Sequence, residues 1–476
     1  MKYIHIIILF ILSASNIAKA QVTSIQKLDE VLISDTKLKN YATGIKIETL
    51  NDSIIKNNAV SLTGLLAFNS NLYFKENGFG MVSSPSFRGT NASQTAVIWN
   101  GININSQLNG QTDFNTINTS NFNSIAIRSG GGSVQYGSGA IGGSIHLNNT
   151  LDFNSHFDNT VRLSYGSFNS KMTNYLSSFG NSKLSFNLGV SYIDSDNDYK
   201  YLGTDRVNEN GAFNNLNLNF NLGYFISETD ILKLYHQSYD GFREFSGTLV
   251  APSNSKYEDE NYRTMLEWSH ISGVFSSKLK AVHLQERFKF FENKNNSIYS
   301  FGKVNTLLLN HNLNIRLSDK LQFKTILEFN EFTGSGSSFS NPERTSFSAT
   351  ALVNHKPTET LEYNLNLRKD FTSDFTNPYL YSFDALYKVS KVYSLQINGS
   401  KNFRIPTFND LYWQPGGNLD LVPEQSYQVD FGQRFKFKNF NFRLNGYYIN
   451  TKDLIQWRPD NVGVWKPINI AKSHSY

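Results

Sequence analysis

Leu216-Asn217-Leu218-Asn219-Phe220-Asn221-Leu222 alternates apolar and polar residues without a break, and Leu361–Leu367 and Phe440–Asn445 follow the same rule. A period of two puts the apolar side chains on one face of a strand and the polar ones on the other. About fifteen such segments, roughly ten to fourteen residues each, run between Asp158 and Asp453. Strands of soluble sandwiches average about five or six residues, whereas a strand tilted across a bilayer needs roughly nine to eleven. Short turns at Ile226–Asp230, Ile271–Gly273, Leu317–Lys320, Lys356–Thr360, Val389–Lys391 and Phe437–Phe440 alternate with longer polar loops. Those loops are Ser195–Ala212, Tyr239–Asp259, Phe291–Lys303, Gly334–Glu343 and Arg404–Pro423. Short turns on one side and long loops on the other are the mark of an up-and-down barrel in an outer membrane. Tyr192, Tyr224, Phe225, Tyr235, Trp268, Tyr381, Tyr447 and Tyr448 stand near segment ends, where interfacial girdles form. Residues 156–476 therefore read as an all-β, antiparallel transmembrane β-barrel.

Residues 41–155 follow another pattern. Leu62, Leu65 and Leu66 have helical spacing within Ser61–Phe68. Thr95–Trp99 reads as an apolar strand that turns at Asn100-Gly101, a pair that tolerates positive φ. A strand at Ser124–Arg128 precedes the glycine-rich stretch Ser129–Gly143, and Ser144–Leu147 reads as another short strand. Gly137, Gly139 and Gly142 spell G-x-G-x-x-G, but a dinucleotide fold needs a helix next, so these glycines are read as tight turns and close packing. A small α+β domain is expected here. Ahead of it, Lys2, the apolar run Ile4–Leu12 and Ala18-Lys19-Ala20 read as a signal peptide over 1–20, cleaved near Ala20.

Composition narrows the chemistry. The 476 residues include no cysteine, which excludes disulfides, thiolate metal sites and cysteine nucleophiles. A net charge of +5 arises from mixed signs with no long basic run, so nucleic acid is not implied. His146, His156, His236, His270, His283, His311, His355 and His474 are scattered without metal-ligand spacing. Asp194, Asp196, Asp198 and Asp205 read as a solvated loop rather than a calcium site, lacking the glycine and terminal Glu of an EF-hand. No cofactor, metal or catalytic site is expected.

The residues also carry a resemblance. Phe87-Arg88-Gly89, Val97-Ile98-Trp99-Asn100-Gly101-Ile102, Ile125-Ala126-Ile127-Arg128 and Tyr136-Gly137-Ser138-Gly139-Ala140-Ile141-Gly142-Gly143 resemble the plug of TonB-dependent outer-membrane receptors. Asn100 stands where that family usually has Asp, and Arg128-Ser129-Gly130-Gly131 where it has Arg-Gly-Pro. Leu28-Asp29-Glu30-Val31-Leu32-Ile33-Ser34, within a 21–40 linker, resembles the TonB box, an extended segment suited to adding a strand to a partner's sheet. Phe403–Tyr412 and Leu421–Glu424 resemble a signature of the later barrel. The resemblance implies a plug inside a barrel of about 22 strands, energised by TonB of the inner-membrane complex. It implies ligand capture at plug apices 75–84 and 103–111, with Asn77, Gly78, Phe79, Ser83, Asn105, Gln107, Asn109 and Gln111 as contacts. Arg88-Gly89-Thr90-Asn91-Ala92-Ser93 is similar to the matching segment of cobalamin-type receptors. Cobalamin is thus the favoured ligand, a ferric siderophore the alternative, and a surface adhesin without transport the reading from another class. The chain ends within a sixteenth strand, so about six further strands are expected beyond Tyr476.

Overall fold

The computed structural model describes residues 37–58, 61–76 and 78–476; Leu28–Ser34 and Asn77 lie outside the described residues. The inner domain begins with the one-turn helix α1 (Lys37–Asn40), strand β1 (Ile47–Leu50) and helix α2 (Asp52–Lys56). Helix α3 (Leu62–Asn69) forms where the leucine spacing predicts it, capped by the Ser61 hydroxyl, which accepts from Gly64 N at 3.1 Å. Strands β2 (Tyr73–Glu76) and β3 (Ser83–Ser86) make a separate hairpin. Strands β4 (Thr95–Trp99), β5 (Ile102–Asn103), β6 (Ser124–Ser129) and β7 (Gly143–Asn148) join β1 in a sheet of order β1-β6-β7-β4-β5. Its core holds Leu62, Leu65, Leu66, Val97, Trp99, Ile125, Ile145 and Leu147, all buried. The glycine stretch is not turns alone: it also winds one helical turn, α4 (Ser133–Tyr136).

The remainder is one antiparallel sheet of sixteen strands, each paired with the next in sequence. The strands are β8 (His156–Gly166), β9 (Ser170–Gly180), β10 (Leu184–Ser195), β11 (Phe213–Phe225), β12 (Asp230–Gly247), β13 (Pro252–Ser272), β14 (Phe275–Phe291) and β15 (Ser300–Arg316). They continue as β16 (Leu321–Gly336), β17 (Glu343–His355), β18 (Leu361–Thr372), β19 (Tyr379–Lys388), β20 (Tyr393–Arg404), β21 (Glu424–Lys436), β22 (Asn441–Pro459) and β23 (Trp465–Ser475). No described helix is long and apolar enough to cross a membrane.

The alternation points opposite ways from a water-soluble sheet. On β18, Asn364 and Asn366 are 0% and 1% exposed, while Leu365 and Leu367 are 49% and 62% exposed. Asparagines face the inner domain and leucines face outward, as lipid demands. Three expected girdle residues prove to face inward: Tyr235 is wholly buried in the inner domain's core cluster, Phe225 packs edge-on against Phe153 at 4.6 Å, and the Tyr447 ring lies 4.4 Å from the Arg88 guanidinium. The expected loop Tyr239–Asp259 is corrected more fully. Pairing continues through it from Asp240↔Glu260 to Phe245↔Ser255 and, past an irregularity, to Gly247↔Pro252, so the strands run on to within four residues of each other. Both faces of that hairpin carry polar residues, so alternation fades while the backbone ladder persists. Nor is the loop end uniformly long, because 167–169 alone joins β8 to β9.

Candidate functional site

The short-turn and loop ends of the wall give the inner domain an orientation. Near the short-turn end, Thr43 Oγ1 donates to Glu362, Tyr41 Oη to Asn314, and Gly44 N to Asp384. At the loop end, Phe79 packs edge-on against Phe213, with centroids 5.1 Å apart, and Arg243 bridges Asp113 and Asp259 at 2.5 and 2.9 Å.

The glycine motif builds the connections between these ends. Asn100 and Gly101 both hold positive φ (48° and 88°), the hairpin turn their sequence predicts. Asn100 donates its amide to Asn149 Oδ1 and accepts from Asn149 N, a two-way exchange that an ionised Asp cannot make. Gly130 holds φ 83° and donates its N–H to Gly142 O; proline permits neither, which accounts for glycine at that position. Arg128 is buried and donates to Gly130 O, and burial pulls its pKa below the ordinary arginine value. Arg88, itself at positive φ beside Gly89, is paired with Asp430 at 2.5 Å. Gly137 adjoins Arg368, and Gly139 N donates to Phe403 O on the wall. Gly142 and Gly143 lie against Thr90, Phe87 and the Arg128 carbonyl.

The apex residues separate into exposed and internally committed groups. Phe79 is half exposed with its ring edge-on to Phe213, and Asn109 is exposed, its Oδ1 accepting from Gln111 N. Gly78 turns the β2–β3 connection at φ 117°. Ser83 is buried, its hydroxyl accepting from Thr63 and its amide donating to Asp113. The Asn105 side chain is spent inside the loop, on Val97 N, Thr95 O and Gly110 O. Gln111 accepts from Ser84. Gln107 offers its carbonyl not to solvent but to the loop 405–423, which folds inward from the rim. There helix α5 (Phe408–Tyr412), capped by Thr407, lays its first amides on the apex: Phe408 N donates to Gln107 O at 2.9 Å and Asn409 N to Leu108 O at 3.0 Å. Beneath this lid a cavity of about 110 Å³ is lined by Asn105, Gln107, Asn330, Arg368 and Thr407 together with apolar Leu284, Leu308 and Phe332.

Sequence reasoning missed the residues that bind lid to inner domain. Gln94 donates to Glu424, Glu424 accepts from Arg404 at 2.7 Å, and Asp410 of the lid accepts from Arg404 and from Trp457 Nε1. The available signal was weak: Arg404 and Glu424 fall within the barrel signature, but their partners are remote in sequence. Among the described residues no group of three or more His, Asp or Glu is placed to hold a metal ion.

Comparisons with known proteins agree with this architecture. A family model described as "TonB dependent receptor-like, beta-barrel" matches residues 163–476, and the TonB-dependent Receptor Plug Domain matches residues 40–144. The vitamin B12 transporter BtuB of Photobacterium profundum is 22% identical over 420 residues, covering 83% of this chain and 66% of that protein. A counterpart in Vibrio vulnificus is 23% identical over 407 residues, covering 83% and 65%. The chain thus spans just under two thirds of the length of these curated relatives. Among solved structures, the siderophore receptor PirA from Acinetobacter baumannii matches with a TM-score of 0.75 at 16% identity, over 93% of this chain and 78% of that one. The copper transporter OprC matches at 0.73 and 15%, over 91% and 77%. Identities this low show the fold alone.

Proposed function

The chain belongs to the TonB-dependent receptors, and from that membership we propose that it captures a scarce nutrient at the cell surface and passes it unaltered into the periplasm. The observation that carries this reading is the inner domain bonded to the wall at both ends, from Thr43–Glu362 to Arg243–Asp113. The inner domain fills the space the wall curves around, and an outer membrane has no nucleotide supply of its own, so moving that domain aside needs work delivered from elsewhere. Leu28–Ser34, a few residues before the first described helix, is the segment we assign to TonB, by strand addition. Residues 1–20 are assigned to export, and 41–155 and 156–476 to plug and barrel.

Cobalamin is the favoured ligand, supported by the curated relatives and by Arg88–Ser93; a ferric siderophore is the second reading, supported by the fold neighbours. Phe79 and Asn109 are proposed as its first contacts among the apex residues. Cells making the protein are expected to bind and import labelled cyanocobalamin. Deleting Leu28–Ser34 should leave surface binding intact and abolish uptake. Undiminished uptake after that deletion would falsify energy coupling, and binding of a ferric siderophore instead would reassign the ligand.

A further inference from the structure

The lid over the apex occupies a space that a ligand can use. Phe408 is fully buried at the rim, in a socket of Leu108 from the inner domain and Val304 from the wall, with Phe288, Phe332 and Phe339 packed around it. Arg344, from the wall, holds the lid from the side: it donates to Pro406 O at 3.1 Å, and its guanidinium lies 5.1 Å from the Phe408 ring. The two apex carbonyls nearest the socket, Gln107 O and Leu108 O, accept from the lid's own amides. An apolar ring with two adjacent N–H donors is therefore already seated where the apex meets the lumen mouth. The helix that supplies them has only five residues, too few to be stable without such contacts.

We propose that the nutrient enters by taking the place of Phe408, so that this residue marks the ligand's seat. The assignment rests on the receptor reading above and adds the ligand class. When α5 lifts, the apex loses the partners of two carbonyls and the socket loses its ring. A good ligand supplies both, with N–H or O–H donors flanking a flat apolar group. A purely anionic or acceptor-only ligand leaves the carbonyls unpaired and binds poorly. The closed lid also lowers the apparent affinity in proportion to the small fraction of molecules that are open.

Hydrogen exchange on the full-length protein tests the lid first without ligand. The Phe408 and Asn409 amides should exchange about a hundredfold faster than paired amides of β20, by local opening. Protection equal to that of β20 overturns the proposal, whatever the nutrient proves to be. Cyanocobalamin is then added to wild type, where exchange across 405–413 should rise; greater protection there overturns it. Finally, Phe408→Ala should bind cyanocobalamin with an association rate about tenfold above wild type, and Phe408→Leu should fall between. Slower association in both variants also overturns it. Failure of the wild type to bind cyanocobalamin counts against the choice of nutrient, while the ligand-free exchange still decides the lid.

Discussion

A methyl group at Gly143 would lie 2.7 Å from the Arg128 carbonyl oxygen and 2.7 Å from the Phe87 ring. No side-chain rotation relieves the first contact, because it is made with backbone. Gly143→Ala is therefore expected to destabilise the inner domain by about 1–3 kcal/mol, read as a lower urea midpoint for plug unfolding with the wall intact. An unchanged midpoint would show that the backbone yields more easily than this spacing suggests. The same scale shows where sequence reading works and where it stops. Asn100-Gly101 is legible because the turn's demand for positive φ falls on two adjacent residues. The partners of Glu424 are not, because Gln94 lies 330 positions away and Ile455 31, distances over which a sequence carries no pairing signal of its own.

At the scale of the strand, β18 states its rule openly: Asn364 and Asn366 turn inward and Leu365 and Leu367 outward, whereas Tyr235, Leu352 and Leu380 elsewhere on the wall turn in against the inner domain. Leu367→Arg, on the outward face of β18, should cost about 2–4 kcal/mol of stability in lipid. Asn366→Ser, one position away and inward, should cost far less. Denaturant unfolding from phospholipid vesicles distinguishes the two, and equal costs would mean that β18 does not face lipid. The rule fails where its physical cause ends. At this end of β12 and β13 polar residues lie on both faces, so residues 240–245 pair with partners across the hairpin without alternating, and a reader of periodicity sees a loop. The lid helix was hidden for a related reason: five residues are too short for a periodic signal, and Phe408 is buried by partners from β15 and the apex rather than by its own element.

For the whole molecule, the resemblance of short motifs spread from the box to the barrel signature made the architecture legible, while the contacts that join its two parts were not. The order of the inner sheet now bears on how it responds to traction. Among the described residues, β1 is an edge strand of four residues paired with β6 alone, whereas β6 and β7 lie between neighbours on both sides. The chain has no cysteine, so a staple can be added on a clean background: Thr49→Cys with Ala126→Cys joins two residues that face each other in the register. Oxidised, this protein should bind nutrient normally but fail to import it, with uptake restored by reductant; unimpaired uptake in the oxidised form would mean that β1 stays in place during transport. On the proposed reading, a pull from the N-terminal side would first meet the bonds of Tyr41, Thr43 and Gly44 to the wall, and then one short ladder before the central strands. Under such a pull a sheet of this order is expected to give way as a seam does from its loose end, parting along one margin while the rest of the stopper keeps its shape.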